Sequence, residues 1–204
     1  MYYYNKYCAT FILVLIVFSG CYNKQTEKIE INRFEQEFFS SEKSDLKKII
    51  KKYPFLFPIN FDNSVWESYL ADSTRISTFK KTNSVFNNMD EIQEQISISF
   101  NLIESTFPYF KKPKVITLNS QDEYKNRIIY ADSLLLISLD QYLGSDYYPS
   151  IPSYISNNMT KKYVTNDISQ KISEKLVPPP SDRSLLAEMI YHGKVIFLTN
   201  LFTP

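Results

Sequence analysis

The spacing of apolar residues predicts several amphipathic helices in this chain. Apolar side chains recur at every third or fourth position from Asp90 to Phe107, which is typical of a helix with one buried face. The same spacing predicts shorter helices from Ser44 to just before Pro54, from Val65 to Leu70 and from Ile168 to Leu176. The first of these helices ends there because the residue before a proline disfavours the helical backbone conformation.

Other apolar stretches are typical of strands. Residues Lys28 to Phe34 alternate between apolar and polar side chains, and turn residues bound the stretches Lys114–Leu118 and Arg127–Ala131. Residues Leu134 to Leu139 are nearly all apolar, as expected of a central strand that is buried on both faces. Together these stretches predict an α+β fold, in which a small mixed sheet is packed by helices.

A long helix is predicted at residues 182–202, capped by Ser181 or Asp182, and it follows a stiff run of prolines. Its side chains are apolar almost all round: Leu185, Leu186, Met189, Ile190, Val195, Ile196, Phe197, Leu198, Leu201 and Phe202. Such a helix normally lies in a core, but too few residues follow it to cover it, so we expect its apolar surface to lack its partner. Because the chain stops at Pro204, we expect the domain to be incomplete at its C-terminus, as a fragment or as a natural truncation.

The beginning of the chain has the pattern of an export signal. A single basic residue, Lys6, precedes an apolar run from Ala9 to Phe18. This run is shorter than the about 20 residues that a membrane-spanning helix needs. Small residues then stand before Cys21, and this order is typical of a secretory signal with its cleavage site. The alternative is an uncleaved membrane anchor in which Cys21 has no role.

The segment Phe18-Ser19-Gly20-Cys21 resembles the lipobox of bacterial lipoproteins. In that family the cysteine is acylated through its thiol and becomes the new N-terminus, and a leucine usually stands where this chain has Phe18. The resemblance implies a signal peptide at residues 1–20, lipidation of Cys21 and attachment to a membrane. After the signal peptide, we expect a polar tether at residues 21–28 and a single domain at residues 29–204.

Charge and rare residue types argue against two common classes of function. Of 23 basic and 22 acidic residues, only Lys6 lies in residues 1–20, so the remaining chain carries no net charge. A nucleic-acid-binding protein would have a basic surplus. The chain has one histidine and two cysteines, of which Cys8 lies in the signal and Cys21 in the lipobox. Common zinc sites require several histidine or cysteine ligands, so we expect neither a metal nor another cofactor.

Glu188 and His192 are the first candidates for a site, because residues four apart share one face of a helix. The surrounding segment is similar to the His-Glu-x-x-His pattern of zinc peptidases, in which two histidines bind zinc and the glutamate is a general base. Ala187 and Tyr191 occupy the two ligand positions, and His192 is rotated by about 100° from that face. We interpret the pair as a degenerate site, and as a buried or half-buried polar pair.

Asp140 is the second candidate, because it directly follows the apolar strand. Loops at strand ends often hold functional residues. The loop that follows this strand also includes Tyr142 and Gly144. Alternatively, Asp140 and Gly144 only shape the turn.

Several longer segments resemble GldB, the gliding motility-associated lipoprotein family of Bacteroidetes. They are Ile31–Phe39, Leu135–Gly144 and Leu186–Lys194 with the following Val195–Leu198, and the likeness extends from Cys21 to the last residue. The family is remotely similar to predicted zinc-dependent peptidases that carry His-Glu-x-x-His on the corresponding helix. The resemblance therefore implies a degenerate zincin-like or peptidase-like fold without the metal.

The resemblance implies a structural or assembly component of gliding motility and of the associated type IX secretion machinery, without enzymatic activity. Its partners would be the membrane and other proteins of that machinery. One alternative is a degenerate zinc-peptidase-like hydrolase, and another is a small-ligand-binding lipoprotein with a pocket at Asp140–Gly144. Because no acidic cluster follows Cys21 of the kind that marks surface export in Bacteroidetes, we expect the periplasmic face of the membrane.

Overall fold

Three parallel strands and one antiparallel strand form the sheet. The computed structural model describes residues 28–121, 124–131 and 133–204. The strands within these ranges are β1 (Ile31–Arg33), β2 (Lys114–Leu118), β3 (Ile128–Ala131) and β4 (Leu134–Ser138). Their order is β1-β2-β4-β3, with β1, β2 and β4 parallel and β3 antiparallel to β4. The prediction of a small mixed sheet is therefore confirmed, whereas the predicted signal peptide and Cys21 lie outside the described residues.

Eight α-helices accompany the sheet in the part of the chain that the structure describes. They are α1 (Phe34–Phe39), α2 (Leu46–Lys52), α3 (Asn63–Ala71), α4 (Ser73–Val85), α5 (Asp90–Thr106), α6 (Ser153–Ser156), α7 (Val164–Leu176) and α8 (Leu185–Phe202). All five helices predicted from apolar spacing are present, with ends that differ by a few residues.

The sheet separates two apolar clusters. On one face, Val115, Leu135 and Ile137 pack against α5 and α7. On the other face, Ile116 and Leu136 pack with the aromatic residues of α1 and of the turn around Pro54. Successive residues of a strand point to opposite faces, so one short strand contributes to both clusters. This arrangement explains why the sequence of β4 is almost continuously apolar.

The larger cluster depends on the facing stripes of α5 and α7. Ile96, Phe100 and Ile103 of α5 are fully buried, as are Ile168 and Ile172 of α7. Their spacings of three and four residues place each set on one side of its helix. Burying one such side chain contributes about 1.5–3 kcal/mol, so this interface stabilises the face of the sheet that it covers.

Helix α4 was not predicted, since its sequence is mostly polar. Its start is fixed by Asp72, whose side chain accepts hydrogen bonds from the backbone N–H groups of Thr74 and Arg75 at 2.8 and 3.0 Å. Capping of this kind stabilises a helix by about 1 kcal/mol. The buried residues of α4 are Thr78 and Thr82, so apolar spacing gives no signal for this helix.

The last helix, α8, is present, and most of its apolar side chains are uncovered, as expected from the sequence. Only Val195, Thr199 and Phe202 are buried, and they lie in its C-terminal half, which packs against α5 and α7. The first turns of α8 project beyond these contacts, and Leu186 remains 67% exposed. Among the described residues, no helix combines the length and apolar character required to cross a membrane.

Candidate functional site

The carboxyl ends of β1, β2 and β4 meet at one edge of the sheet, because these three strands are parallel. Ligands of open sheets often bind outside this edge. Glu35 follows β1 closely, Asn119 follows β2, and Asp140 follows β4. We call this region the carboxyl edge.

Asp140 joins the ends of β2 and β4. Its carboxylate is buried and accepts hydrogen bonds from the backbone N–H groups of Ser120 at 3.1 Å and Gln121 at 2.8 Å. Gln121 has a φ of 53°, a conformation that is unfavourable for most residues with a side chain. Burial raises the pKa of Asp140 above its ordinary value, although these hydrogen bonds act in the opposite direction. The carboxylate therefore holds the turn that follows β2.

The loop after Asp140 is held by hydrogen bonds to its backbone groups. Gly144 has a φ of 100°, which strongly favours glycine, and its N–H donates to the carbonyl of Met159 at 2.9 Å. The hydroxyl of Tyr148 donates to the Asp140 carbonyl and accepts from the Leu143 N–H at 3.1 Å. A surface cleft lies beside this loop, lined by Asp140, Gln141, Tyr147 and Tyr148 among others.

Tyr142 belongs to a polar cluster that the sequence did not indicate. Its ring is fully buried, and its hydroxyl donates to Asp167 Oδ2 at 2.8 Å. Arg127 Nε lies 2.7 Å from the same oxygen. Burial raises the pKa of Tyr142 well above its ordinary value, and the charge of Asp167 adds to this effect. The cluster ties the loop after β4 to α7 and to the start of β3.

Glu188 and His192 form a contact on the surface of α8. His192 Nε2 lies 3.8 Å from Glu188 Oε2, and the two side chains are 67% and 44% exposed respectively. The expectation of a buried or half-buried pair is therefore wrong for His192, whose side chain lies at an open cleft. His192 lines a cleft beside α7, whereas Asp140 lines the cleft described above.

The zincin-like part of the fold prediction is unsupported. Glu188 and His192 are an isolated pair on a solvent-exposed helix face. Among the residues that the structure describes, no group of three or more His, Cys, Asp or Glu side chains is placed to hold a metal ion. A catalytic zinc site normally has three protein ligands.

A cavity of about 200 Å³ lies beside the carboxyl edge, and sequence reasoning missed it. Its aromatic wall is formed by Phe34, Phe38, Phe57, Trp66 and Tyr69, and we call it the aromatic cavity. Glu35, Arg75 and Asn119 also line it. Glu35 is fully buried, pairs with Arg33 and accepts a hydrogen bond from the Thr117 hydroxyl at 2.7 Å. Its carboxylate is therefore already bound within the protein.

Asn119 differs from Glu35 and Asp140 because its side chain has no partner. Both its Oδ1 and its Nδ2 atoms are buried, and neither makes a hydrogen bond with any described residue. A buried polar group without a partner costs about 1–3 kcal/mol, so such groups require an explanation. The only signal in the sequence is a polar residue directly after an apolar strand.

The fold and these sites define an α+β protein with a small ligand-sized cavity and an apolar helix face on its surface. Comparison with protein-family models matches residues 21–204 to the family of gliding motility protein GldB. The chain therefore belongs to the GldB family of gliding motility proteins, whose name marks its members as lipoproteins. No curated protein and no solved structure matches the chain.

Proposed function

We propose that this chain is a lipoprotein anchored through Cys21 that acts as a structural or assembly component of the gliding machinery and of the associated type IX secretion machinery. Membership of the GldB family supports the association with gliding. The exposed apolar side of α8 supports a role that depends on a partner protein.

The exposed apolar side of α8 is continuous along the helix. Leu186, Ile190, Phe197 and Leu201 are 67%, 49%, 66% and 44% exposed. These residues are four, seven and four positions apart, so they lie on one side of the helix. We call this set the α8 stripe. Contiguous exposed apolar surface on a protein is typical of an interaction site.

Gly193 lies within the α8 stripe, between Ile190 and Phe197. A Cβ atom added at this position would have no neighbour within 4 Å, so the packing of this protein does not require a glycine. A glycine on a helix surface allows another backbone to approach closely. The stripe with its central glycine therefore suits a partner helix that packs along α8.

The occupant that we propose is an apolar helix of another gliding protein. The exposed Lys194 borders the α8 stripe, and polar groups at the rim are usual in protein interfaces. A second copy of this chain is the alternative occupant, and the experiments below distinguish it from another gliding protein.

Complementation of gliding provides the test. A strain that lacks its own GldB-family gene would be supplied with this chain, and colony spreading would be measured. We expect the unaltered chain to restore spreading. The double variant Leu186→Glu/Ile190→Glu should not restore it, because charge in the apolar stripe opposes docking. The substitution Lys81→Glu at an exposed position of α4 should retain function.

Two controls make this test specific. Immunoblots must show equal amounts of each variant, and equal melting temperatures must show that the double variant folds. Failure of the unaltered chain to restore spreading would contradict the proposal. Full spreading with the double variant would show that the α8 stripe is not a docking site. If the unaltered chain is a dimer and the double variant is a monomer, the occupant of the stripe is a second copy of this chain.

Membrane attachment is tested separately through Cys21. Cys21→Ala should move the protein from the membrane fraction to the soluble fraction, since the residue can no longer be acylated. Retention of Cys21→Ala in the membrane would instead indicate an uncleaved anchor. The periplasmic face predicts resistance to protease added to intact cells, and degradation under these conditions would place the domain on the cell surface.

A further inference from the structure

The aromatic cavity has the size of one amino-acid side chain with a few polar atoms. A dry protein cavity of about 150 Å³ holds a benzene molecule, whereas drug-sized ligands occupy about 300–1,000 Å³. The cavity has a volume of about 200 Å³. Its walls include Phe57 and Trp66, whose rings meet edge to face with their centroids 5.0 Å apart. Such walls favour an aromatic or large aliphatic group.

The Asn119 side chain supplies a complementary pair of polar groups. Its carboxamide presents one acceptor and one amino donor group, and both are buried without a partner among the described residues. A peptide group also presents one donor and one acceptor. A ligand with a peptide group beside its apolar side chain would therefore satisfy both atoms of Asn119 at once.

Arg75 supplies a positive charge to the same cavity. Its guanidinium lies over the ring of Tyr69, 3.6 Å from the ring centroid. Within the described ranges it forms no ion pair, because the buried carboxylate of Glu35 pairs with Arg33 instead. A guanidinium held against an aromatic ring is well suited to bind a carboxylate. An anionic ligand is thus favoured over a neutral one.

We propose that the aromatic cavity binds an N-acylated apolar amino acid with a free carboxylate, such as the C-terminal residue of a peptide. The apolar side chain would occupy the aromatic walls, the peptide group would pair with Asn119, and the carboxylate would bind Arg75. This proposal is independent of the role of the α8 stripe, which is on a different helix.

The protein carries a direct reporter for this binding. Trp66 is the only tryptophan in the chain, and it lines the cavity. The full-length chain, purified in detergent, would be titrated with N-acetyl-phenylalanine while the tryptophan fluorescence is recorded. We expect a saturable change at concentrations below about 10 mM. N-acetyl-phenylalanine amide, which lacks the negative charge, should bind at least about ten-fold more weakly.

Two variants separate the polar contacts. Arg75→Gln should weaken binding of the acid by about ten-fold and leave binding of the amide unchanged, because only the acid has a charge for Arg75. Asn119→Leu should weaken binding of both compounds. The variant Asn119→Leu should still fold, with an unchanged or higher melting temperature, since it removes an unpaired buried amide. Arg183→Gln, at an exposed position near the start of α8, is the matched control.

The source of the ligand is distinguished by a second pair of probes. A tripeptide ending in phenylalanine should bind more tightly than N-acetyl-phenylalanine if a peptide terminus is the natural ligand, and equally if the free N-acyl amino acid is. Either result supports the proposed chemistry. The absence of a saturable signal with every probe, or equal binding of acid and amide, would overturn it.

Discussion

The Tyr142 hydroxyl and Asp167 Oδ2 lie 2.8 Å apart and join the loop after β4 to helix α7. Asp167 also pairs with Arg127 at 2.7 Å, so a single carboxylate connects three segments of the chain. The side chains of Arg127 and Asp167 are 21% and 10% exposed, which protects the pair from solvent. This cluster therefore fixes the loop that follows Asp140.

The Tyr142–Asp167 contact predicts a graded loss of stability. Tyr142→Phe should reduce the free energy of unfolding by about 1 kcal/mol, because one hydrogen bond is lost. Asp167→Asn should cost more, about 2–3 kcal/mol, because the largely buried Arg127 then lacks its counter-charge. Denaturant unfolding of both variants and of the double variant measures these losses. Additive effects of the two substitutions would show that the contact does not contribute.

Asp140 predicts a specific dependence of stability on pH. Since burial raises its pKa in the folded state, protonation at Asp140 favours folding. Its contribution is largest below the unfolded pKa of about 3.9 and is lost as the pH rises through the folded value. The melting temperature of the wild type should therefore rise relative to that of Asp140→Asn as the pH falls from about 7 to about 4.

Asp62 provides the control for this pH dependence. Its pKa is lowered, chiefly by the hydrogen bond that its carboxylate accepts from the Ser64 N–H. A lowered pKa stabilises the folded state above the unfolded pKa, and this stabilisation is lost as the pH falls through the folded value. The advantage of the wild type over Asp62→Asn should thus shrink on acidification. If acidification changed the melting temperature of the wild type relative to both variants in the same direction, the assigned pKa shifts of Asp140 and Asp62 would be contradicted.

The two glycines of the described chain predict opposite effects of the same substitution. Gly144→Ala should destabilise the protein by about 1–3 kcal/mol, because φ is 100° and ψ is 156° at this position, where side chains cause strain. Gly193→Ala should stabilise it by about 0.5–1 kcal/mol, since Gly193 is inside a helix and faces open space. Thermal unfolding would compare them. A loss of stability in Gly193→Ala would show that this site is more crowded than the structure indicates.

Alanine substitutions at Phe100 and Phe197 distinguish an effect on stability from an effect on docking. Phe100 is fully buried, so Phe100→Ala should cost about 3–5 kcal/mol. Phe197 is 66% exposed, and Phe197→Ala should change stability by less than about 0.5 kcal/mol. If the α8 stripe is an interface, Phe197→Ala should nevertheless reduce colony spreading. Unchanged spreading together with unchanged stability would mean that Phe197 has no role in docking.

The elements with strong apolar spacing could be predicted from the sequence. Strand β2 has the predicted bounds, and α5 ends one residue before its predicted end at Phe107. Helix α4 could not be predicted, because it depends on the Asp72 cap and on tertiary packing of threonines rather than on an apolar stripe. The uncovered apolar surface of α8 agrees with the expectation from the sequence, although apolar composition alone does not show which side of the helix is buried.

The candidate sites were predictable only where they follow an element of regular structure. The position of Asp140 after a buried strand was inferred from the sequence, and the structure confirms the strand. Its partners Ser120 and Gln121 are distant in sequence and are brought near by the pairing of β2 with β4. The unpaired amide of Asn119 and the aromatic cavity around it depend on several elements at once, so no local pattern reveals them.

The pairing of Ile31 in β1 with Val115 in β2 has a consequence for the time at which this protein folds. Five helices separate these two strands, and the second parallel neighbour of β2, which is β4, follows later in the chain. Contacts between distant segments form slowly, because a long loop must be closed before they are made. The sheet therefore forms only after most of the chain has been synthesised. A polypeptide with this order of strands completes its sheet only when β4, the strand between β2 and β3, has been added.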